Sequence, residues 1–443
     1  MSETPERLTA RLERLVRKEQ RDKRAPSISA AVRREGKLIW ETAVGVADAA
    51  AGLEATSDTQ YRIGSITKTF TAAAIMQLRD AGKLDLEDTL DRHVEGAAHT
   101  PTIRRLLSHA SGLQRETPGD VWVTLKFLTD EELLRDLGTA EQVLAPGERF
   151  HYSNLGFALL GHVVAAAAGQ AYEQYVQEHI LDPLAMTRTT FRQQGPHAAG
   201  YLVEPYRDGV RAEQPVETAS FAPSGQLWST VRDLGRWATF IADPDPAVLA
   251  PETVEEMRTV QVIDDHERWT SGYGLGLMLL RDGDRIVAGH GGAMPGFIAG
   301  VYASPKDKIG VAALTNSGTA RLSPLIKQLI AKTIELMPVA PDPWRVDDEP
   351  PAEIASALGR WWLEGHEIVF HWRKGRLEAR YEGSEDWEPP AVFERAEDDR
   401  WRTISGPEHG ELLRLERGGD GGIGRMYWAT YLLTREPTPF GAG

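Results

Sequence analysis

The sequence predicts an α+β protein: an antiparallel sheet flanked by helices with an all-helical insertion, followed by a small all-β C-terminal domain. Three observations carry that prediction. Strand-like runs open and close the first part of the chain, while helical periodicity fills its middle. The segment beginning at Met337 and ending at Pro351 holds five prolines and several acids, and reads as an extended linker. Beyond it, short alternating runs are separated by Gly, Pro and Asp turns. The expected division is a first domain over 1–337, a Pro-rich linker over 338–351 and a β-rich domain over 352–443.

The elements follow in order. Leu8, Leu12 and Leu15 fall at helical spacing, which predicts a surface helix with one apolar stripe. SISAAVRR and KLIWETAV flank the turn Glu35-Gly36 and read as a hairpin. Ile66, Phe70, Ala74 and Leu78 recur at steps of four before Gly82, so residues 66–81 should form a helix that stops there. Helical patterns continue through 102–108, 131–137, 155–168 and 171–180. LGFALLGHVVAAAA is apolar on nearly all sides and predicts a buried helix, with His162 as a satisfied core histidine. Strand character returns at 273–280, 285–290, 298–304 and 308–315, and a helix follows at about 320–336. A site shared by insertion and sheet would lie in the crevice between them. In the last domain, HEIVFHW, RLEARYE, RWRTIS, ELLRLE and MYWATYLL fit a lipocalin-like barrel or sandwich. Trp361, Trp362, Trp372, Trp387, Trp401 and Trp428 should fill its core, the alternative being an aromatic binding face or lid.

Composition removes several functions. The chain has 443 residues and a formal net charge of −15, which argues against nucleic acid and anionic membranes as partners. It has no cysteine, hence no disulfide, thiolate nucleophile or thiolate-bound zinc. His93, His99, His109, His151 and His179 show neither HExxH spacing nor a cluster, so no metal and no cofactor is expected. His109 reads instead as a loop-stabilising hydrogen bonder. The glycine-rich GGDGGIGR lies between two β runs and reads as a hairpin loop. No apolar run reaches the ~18 residues of a membrane span. The charged N-terminal stretch does not resemble a signal peptide, and a cytoplasmic location is the expectation.

YRIGSITKTF carries the chemistry. A strand-like YRI meets Gly64 and a helix begins at Ser65, which puts Lys68 on the same face one turn on. A plain helix start would explain Ser65 as an N-cap. It would not explain a lysine in the first turn, where the helix dipole disfavours a cation. A serine hydroxyl needs a neighbouring base to become a nucleophile, and a desolvated lysine can be neutral enough to act as one. Ser65 and Lys68 are therefore a candidate pair, but a Ser-x-x-Lys spacing is weak by itself and takes its weight from the motifs that accompany it.

Two further motifs accompany them. Tyr152-Ser153-Asn154 follows a Pro-Gly loop and precedes the buried helix, and His290-Gly291-Gly292 follows the strand RIVAG. In this order the three motifs resemble the serine β-lactamase and penicillin-binding-protein superfamily, especially its class C-like branch. LLSHASGL at 106–113, ILDPLAMTRTTF at 180–191 and SGQLWSTVRDLGRWATFI at 224–241 add to the likeness. The resemblance implies a β-lactamase/transpeptidase-like fold over residues 26–336. It makes Ser65 the nucleophile of an acyl-enzyme, Lys68 its activating partner, Tyr152 a base acting with the lysine and Asn154 a partner of the lysine or the substrate amide. It also puts His290 among the catalytic residues, Gly291 and Gly292 against the substrate, and the backbone N–H groups of Ser65 and Ala293 in an oxyanion hole.

One departure narrows the function. The third motif is usually Lys-Thr-Gly, whose lysine grips a substrate carboxylate. A histidine there is mostly neutral at pH 7. His-x-Gly resembles the esterases, D-aminopeptidases and D-amino-acid amidases of the superfamily, and its penicillin-binding-protein-type thioesterases. The expected function is thus hydrolysis or acyl transfer on ester or amide substrates, D-configured or peptidyl ones among them. The alternative is release and macrocyclisation of a nonribosomal peptide. β-Lactamase and D-Ala-D-Ala carboxypeptidase activities carry less weight, as does a sensor that stays acylated. The expected partner is a small-molecule or peptidyl acyl substrate, with delivery by a carrier protein as one route.

Overall fold

The computed structural model describes residues 5–339, 343–346, 348–363, 365–385, 387–419 and 421–439. The chain forms two compact units, Met1–Val339 and Ala340–Gly443. Of the proline-rich segment, residues 340–342 and 347 lie outside the described residues.

The first unit is built on a nine-stranded antiparallel sheet. Its strands are β1 (Ser27–Arg34), β2 (Lys37–Asp48), β3 (Leu53–Glu54), β4 (Val262–Ile263), β5 (Ser271–Tyr273), β6 (Met278–Asp282), β7 (Arg285–Met294), β8 (Phe297–Ser304) and β9 (Ile309–Thr315). Their order across the sheet is β3-β2-β1-β9-β8-β7-β6-β5-β4. Ile28 of β1 faces Thr315 of β9, so the two ends of this unit meet at the sheet's centre. β1 and β9 are almost wholly buried, because helices cover both faces. On one face, Leu8, Leu12 and Val16 of α1 (Pro5–Asp22) join Leu325, Ile326 and Leu329 of a C-terminal helix over Val32 and Val311. The expected stripe is present, with Val16 in the core and Leu15 packed at its edge.

The other face carries the helical insertion. Its central helices are α2 (Thr67–Asp80) and α3 (Asn154–Ala168), with α4 (Val231–Ala242) packed across β1, β8 and β9. The C-terminal helix is α5 (Ser323–Leu336). Trp237 of α4 stacks on Phe70 of α2 at 4.0 Å and donates its indole N–H to Thr69 Oγ1 at 2.7 Å, which fixes the nucleophile's helix against the sheet. His162 departs from expectation: it is half-buried on the flank of α3, 3.4 Å from Asp130, rather than a satisfied core group.

The run 273–280 is not one strand. It breaks between β5 and β6, where Gly276 adopts φ +77°, and a Cβ there would lie 2.1 Å from Ala72 Cβ on α2. Hydrophobic pattern alone does not reveal that requirement.

The second unit is a closed eight-stranded barrel, β10 (Gly359–Leu363), β11 (His366–Arg373), β12 (Arg376–Tyr381), β13 (Ala391–Arg395), β14 (Arg400–Ser405), β15 (Leu412–Arg417), β16 (Ile423–Trp428) and β17 (Tyr431–Thr434). Closure comes from β10 pairing with β17. The inside is filled by Trp361, Phe370, Phe393, Trp401 and Trp428, with Trp372 packed against them, so four of the six tryptophans belong to the barrel's packing. Trp387, in contrast, is exposed.

Candidate active site

The position of Ser65 is set by two glycines. Tyr61–Arg62 pairs with Trp228–Ser229, and Ile63 N–H donates to Leu227 O at 3.0 Å. At Gly64 the chain takes φ +51° and enters a single 3-10 turn, Gly64–Ile66, before α2 begins at Thr67. The α-helix thus starts two residues later than the sequence suggests, with Ser65 in the tighter turn ahead of it. A Cβ on Gly64 would lie 2.7 Å from Ala293 N, and one on Gly292 would lie 1.8 Å from Ile63 O. Only glycine at both places lets β7 press against the turn. The backbone amides of Ser65 and Ala293 flank the same gap, the arrangement an oxyanion hole needs.

Lys68 is fully buried one turn beyond Ser65. Its Nζ lies 3.1 Å from Ser65 Oγ, 2.7 Å from Asn154 Oδ1 and 2.8 Å from Ser224 O. Burial holds its pKa well below the ordinary lysine value, with Glu116 opposing that shift and Arg115 adding to it. A neutral amine has two N–H donors and one lone pair. As the ammonium, Nζ donates to all three oxygens; as the neutral amine, it gives its two donors to the carbonyl oxygens and turns its lone pair to Ser65 Oγ.

Asn154 is held in the orientation that makes this possible. Ser153 caps α3 by accepting Gly156 N–H at 2.9 Å, and Asn154 N–H donates to Arg115 O at 2.6 Å. Asn154 Nδ2 donates to both oxygens of Glu116, at 2.9 and 3.0 Å. A carboxylate only accepts, so the amide nitrogen must face Glu116 and Oδ1 must face Lys68. Sequence reasoning missed Glu116 and Ser224, although both sit in or beside segments that carry the family likeness.

Tyr152 packs against the same cluster. Lys68 Nζ lies 5.0 Å from its ring centroid and the Arg115 guanidinium 4.9 Å. Burial raises its pKa, against a hydrogen bond with Ser65 and the charge of Arg115. It is therefore a neutral phenol that can relay a proton. Behind it stands His109, at φ +56°, its ring tilted at 33° against the Tyr152 ring with centroids 4.2 Å apart. His109 Nδ1 accepts Ser153 N–H at 3.0 Å, a loop-stabilising bond that also anchors the Tyr-Ser-Asn motif.

His290 is buried and both ring nitrogens are occupied within the protein. Nδ1 pairs with Gly291 O, which can only accept, so Nδ1 carries the proton and Nε2 accepts from the Tyr273 hydroxyl at 2.9 Å. Burial, with Lys68 nearby, pushes its pKa down to about 3. It is a neutral anchor beside the cleft, and nothing in its geometry offers a charge to substrate. Gly291 and Gly292 line the cleft along β7.

The cleft has a volume of about 1030 Å³ and is lined by Ser65, Tyr152, Asn154 and Ala293, with Glu116 and Arg321 among its charged groups. Among the described residues, no group of three or more His, Cys, Asp or Glu could hold a metal ion.

The beta-lactamase family model matches residues 12–335. The chain belongs to the beta-lactamase family. A second model, a domain of unknown function (DUF7586), matches residues 350–435. Protein flp of Staphylococcus aureus (strain MW2) is 27% identical over 317 residues, 69% of this chain and 62% of that protein. The chain thus spans less than two thirds of that relative. The octameric penicillin-binding protein homologue from Pyrococcus abyssi superposes with a TM-score of 0.67 at 25% identity, covering 96% of this chain and 99% of that one. A D-stereospecific amidohydrolase from Streptomyces sp. superposes with a TM-score of 0.61 at 26% identity, over 75% of this chain and 99% of the other. This beta-lactamase-family chain therefore has hydrolase relatives, amidases among them.

Proposed function

We propose that this chain is a serine hydrolase that forms an acyl-enzyme at Ser65 with amides or esters whose acyl group carries a free amine. The observation that carries the reading is the place of Lys68 Nζ, buried and within hydrogen-bond distance of Ser65 Oγ, Asn154 Oδ1 and Ser224 O, so that in its neutral form the two carbonyl oxygens take its donors and its lone pair is left to Ser65. Ser65 Oγ attacks the carbonyl carbon while its proton passes to Lys68 Nζ. The oxyanion meets the amides of Ser65 and Ala293. Collapse expels the amine or alcohol, which takes a proton relayed through Tyr152, and an acceptor then attacks the ester by the reverse route.

Two features support the substrate class. The Glu116 carboxylate lies in the cleft, bonded to Asn154 and 3.3 Å from Arg115 Nε, and turns negative charge toward an ammonium group bound there. The third motif offers a neutral histidine where a carboxylate-binding lysine is usual. The likeness to a D-stereospecific amidohydrolase agrees with amide donors. A second reading puts an amine in place of water as acceptor, including closure of a peptidyl ester into a ring, and the open cleft leaves room for such a group.

The test is incubation of the full chain with D- and L-amino-acid amides, their N-acetyl and succinyl counterparts, a short-chain ester and a peptidyl thioester, with products identified by mass spectrometry. Free-amine donors should be turned over and succinylated ones should not. Ser65→Ala should abolish both turnover and the acyl-enzyme mass. Acylation at another residue would overturn the reading.

A further inference from the structure

Trp122, Phe127 and Phe221 form an aromatic cluster at the cleft that the catalytic steps do not use. Trp122 meets Phe127 at 5.4 Å and Phe221 at 5.9 Å, both edge to face, and Phe127 meets Phe221 at 5.2 Å. Trp122 and Phe221 line the cleft with Ser65. Phe221 is buried, whereas Trp122 is 40% exposed. Leaving so large an apolar ring in water forgoes burial energy, and exposed aromatics that line a cavity commonly mark a binding surface.

The wall is held in place. Trp122 rides on the short helix Val121–Thr124, which ends at Leu125 with φ +55°, a left-handed conformation that costs a non-glycine residue energy. The chain then returns to Leu128, whose carbonyl accepts both the backbone N–H of Ser220 at 3.1 Å and its hydroxyl at 2.7 Å. Ser220 and Phe221 lead directly into the Ala222–Gly225 helix, where Ser224 O holds Lys68. Lys68 Nζ lies 5.9 Å from the Phe221 ring centroid. Glu116, bonded to Asn154, lines the same cleft as Trp122 and Phe221. A substrate group resting on this wall is thus fixed relative to the reacting atoms and shares the cleft with the carboxylate.

We propose that Trp122, with Phe127 and Phe221 behind it, is a subsite for an aromatic side chain on the acyl group, which makes aromatic aminoacyl amides or esters the preferred donors. This rests on the acyl-enzyme reading above. Edge-to-face and stacked aromatic contacts are individually modest, so one lost contact should change rates about three- to tenfold.

The test uses two reagents that sulfonylate an active serine: phenylmethanesulfonyl fluoride and methanesulfonyl fluoride. In each the serine oxygen bonds sulfur, fluoride leaves and the serine proton passes to the base. Labelling of the full chain is followed by intact mass, alongside kcat/KM for phenylalanine amide and alanine amide of both configurations. Trp122→Ala should slow the phenyl reagent three- to tenfold and leave the methyl reagent within about twofold, with the same split between the two amides. Equal losses on the phenyl and methyl reagents would overturn the subsite, as would amide turnover with no aromatic preference in the wild type. A phenyl-selective effect of Trp122→Ala on sulfonylation without turnover of any amide or ester would support the subsite while counting against the proposed function.

Discussion

The Tyr273 hydroxyl reaches past strand β6 to donate to His290 Nε2 at 2.9 Å, and both side chains are buried. The first residue of the third motif therefore braces the sheet edge beside the cleft. A lysine in its place would bury an ammonium near Lys68 and leave the Tyr273 hydroxyl without its acceptor. His290→Lys should cost about 3–5 kcal/mol, the scale of an uncompensated buried charge, and should gain no affinity for carboxylate-bearing ligands. Thermal melting and KM for a succinyl ester check this. An undiminished Tm with tighter carboxylate binding would contradict the anchoring role.

The pH dependence of acylation should report Lys68. The reactive form is the neutral amine, and burial holds the lysine pKa well below its ordinary value. kcat/KM should rise with pH as that proton is lost and reach its plateau below the usual lysine range. His290, neutral down to about 3, should add no limb near neutrality. Because Glu116 opposes the downward shift, Glu116→Gln should move the rising limb to lower pH. A limb that stayed in place or moved upward would show that Lys68 is not the titrating base.

Acid stability follows from the two buried histidines. His109 and His290 both have pKa values lowered by burial, so the unfolded chain protonates first as pH falls. Their contribution is neutral above about 6.5, the unperturbed histidine value, and disfavours the folded state progressively below it, toward about 3 for His290. The urea midpoint at pH 5 should be lower than at pH 7.5. A Tyr273→Phe,His290→Gln variant, which cannot take up that proton, should show a smaller difference between the two pH values.

Gly64→Ala should damage chemistry more than folding. The added methyl would sit 2.7 Å from Ala293 N at a φ of +51°, so the turn and β7 must separate. Removing one oxyanion donor costs about 10²–10³ in rate, and acyl-probe labelling should fall on that scale while circular dichroism stays unchanged. Labelling at the wild-type rate would show that the two amides need not be held together.

What the sequence revealed was local. Ser65 and Lys68 lie three positions apart, so helix geometry alone brings them together, and Tyr152 and Asn154 sit at the start of one apolar helix. The sheet built from the chain's two ends was legible from strand-like runs at 27–48 and 285–315, and the barrel from short alternating runs with turn residues. Glu116, Ser224 and Tyr273 were not legible as site residues. Each acts through a bond across the fold, Glu116 to Asn154, Ser224 to Lys68 and Tyr273 to His290, and no spacing in the chain encodes those partners. The break at Gly276 escaped for the same reason, since the side chain it must avoid belongs to α2.

The pairing of β1 with β9 has a consequence for synthesis. Ile28 faces Thr315, and the proposed oxyanion hole needs Ala293 beside the turn at Gly64. A ribosome that has made the serine, the lysine and even the whole helical insertion has still not made a working enzyme. Such distant pairings are slow to form because a long loop must close first. The nascent chain therefore carries an inert serine through most of its translation, and reactivity arrives only when the closing strands emerge.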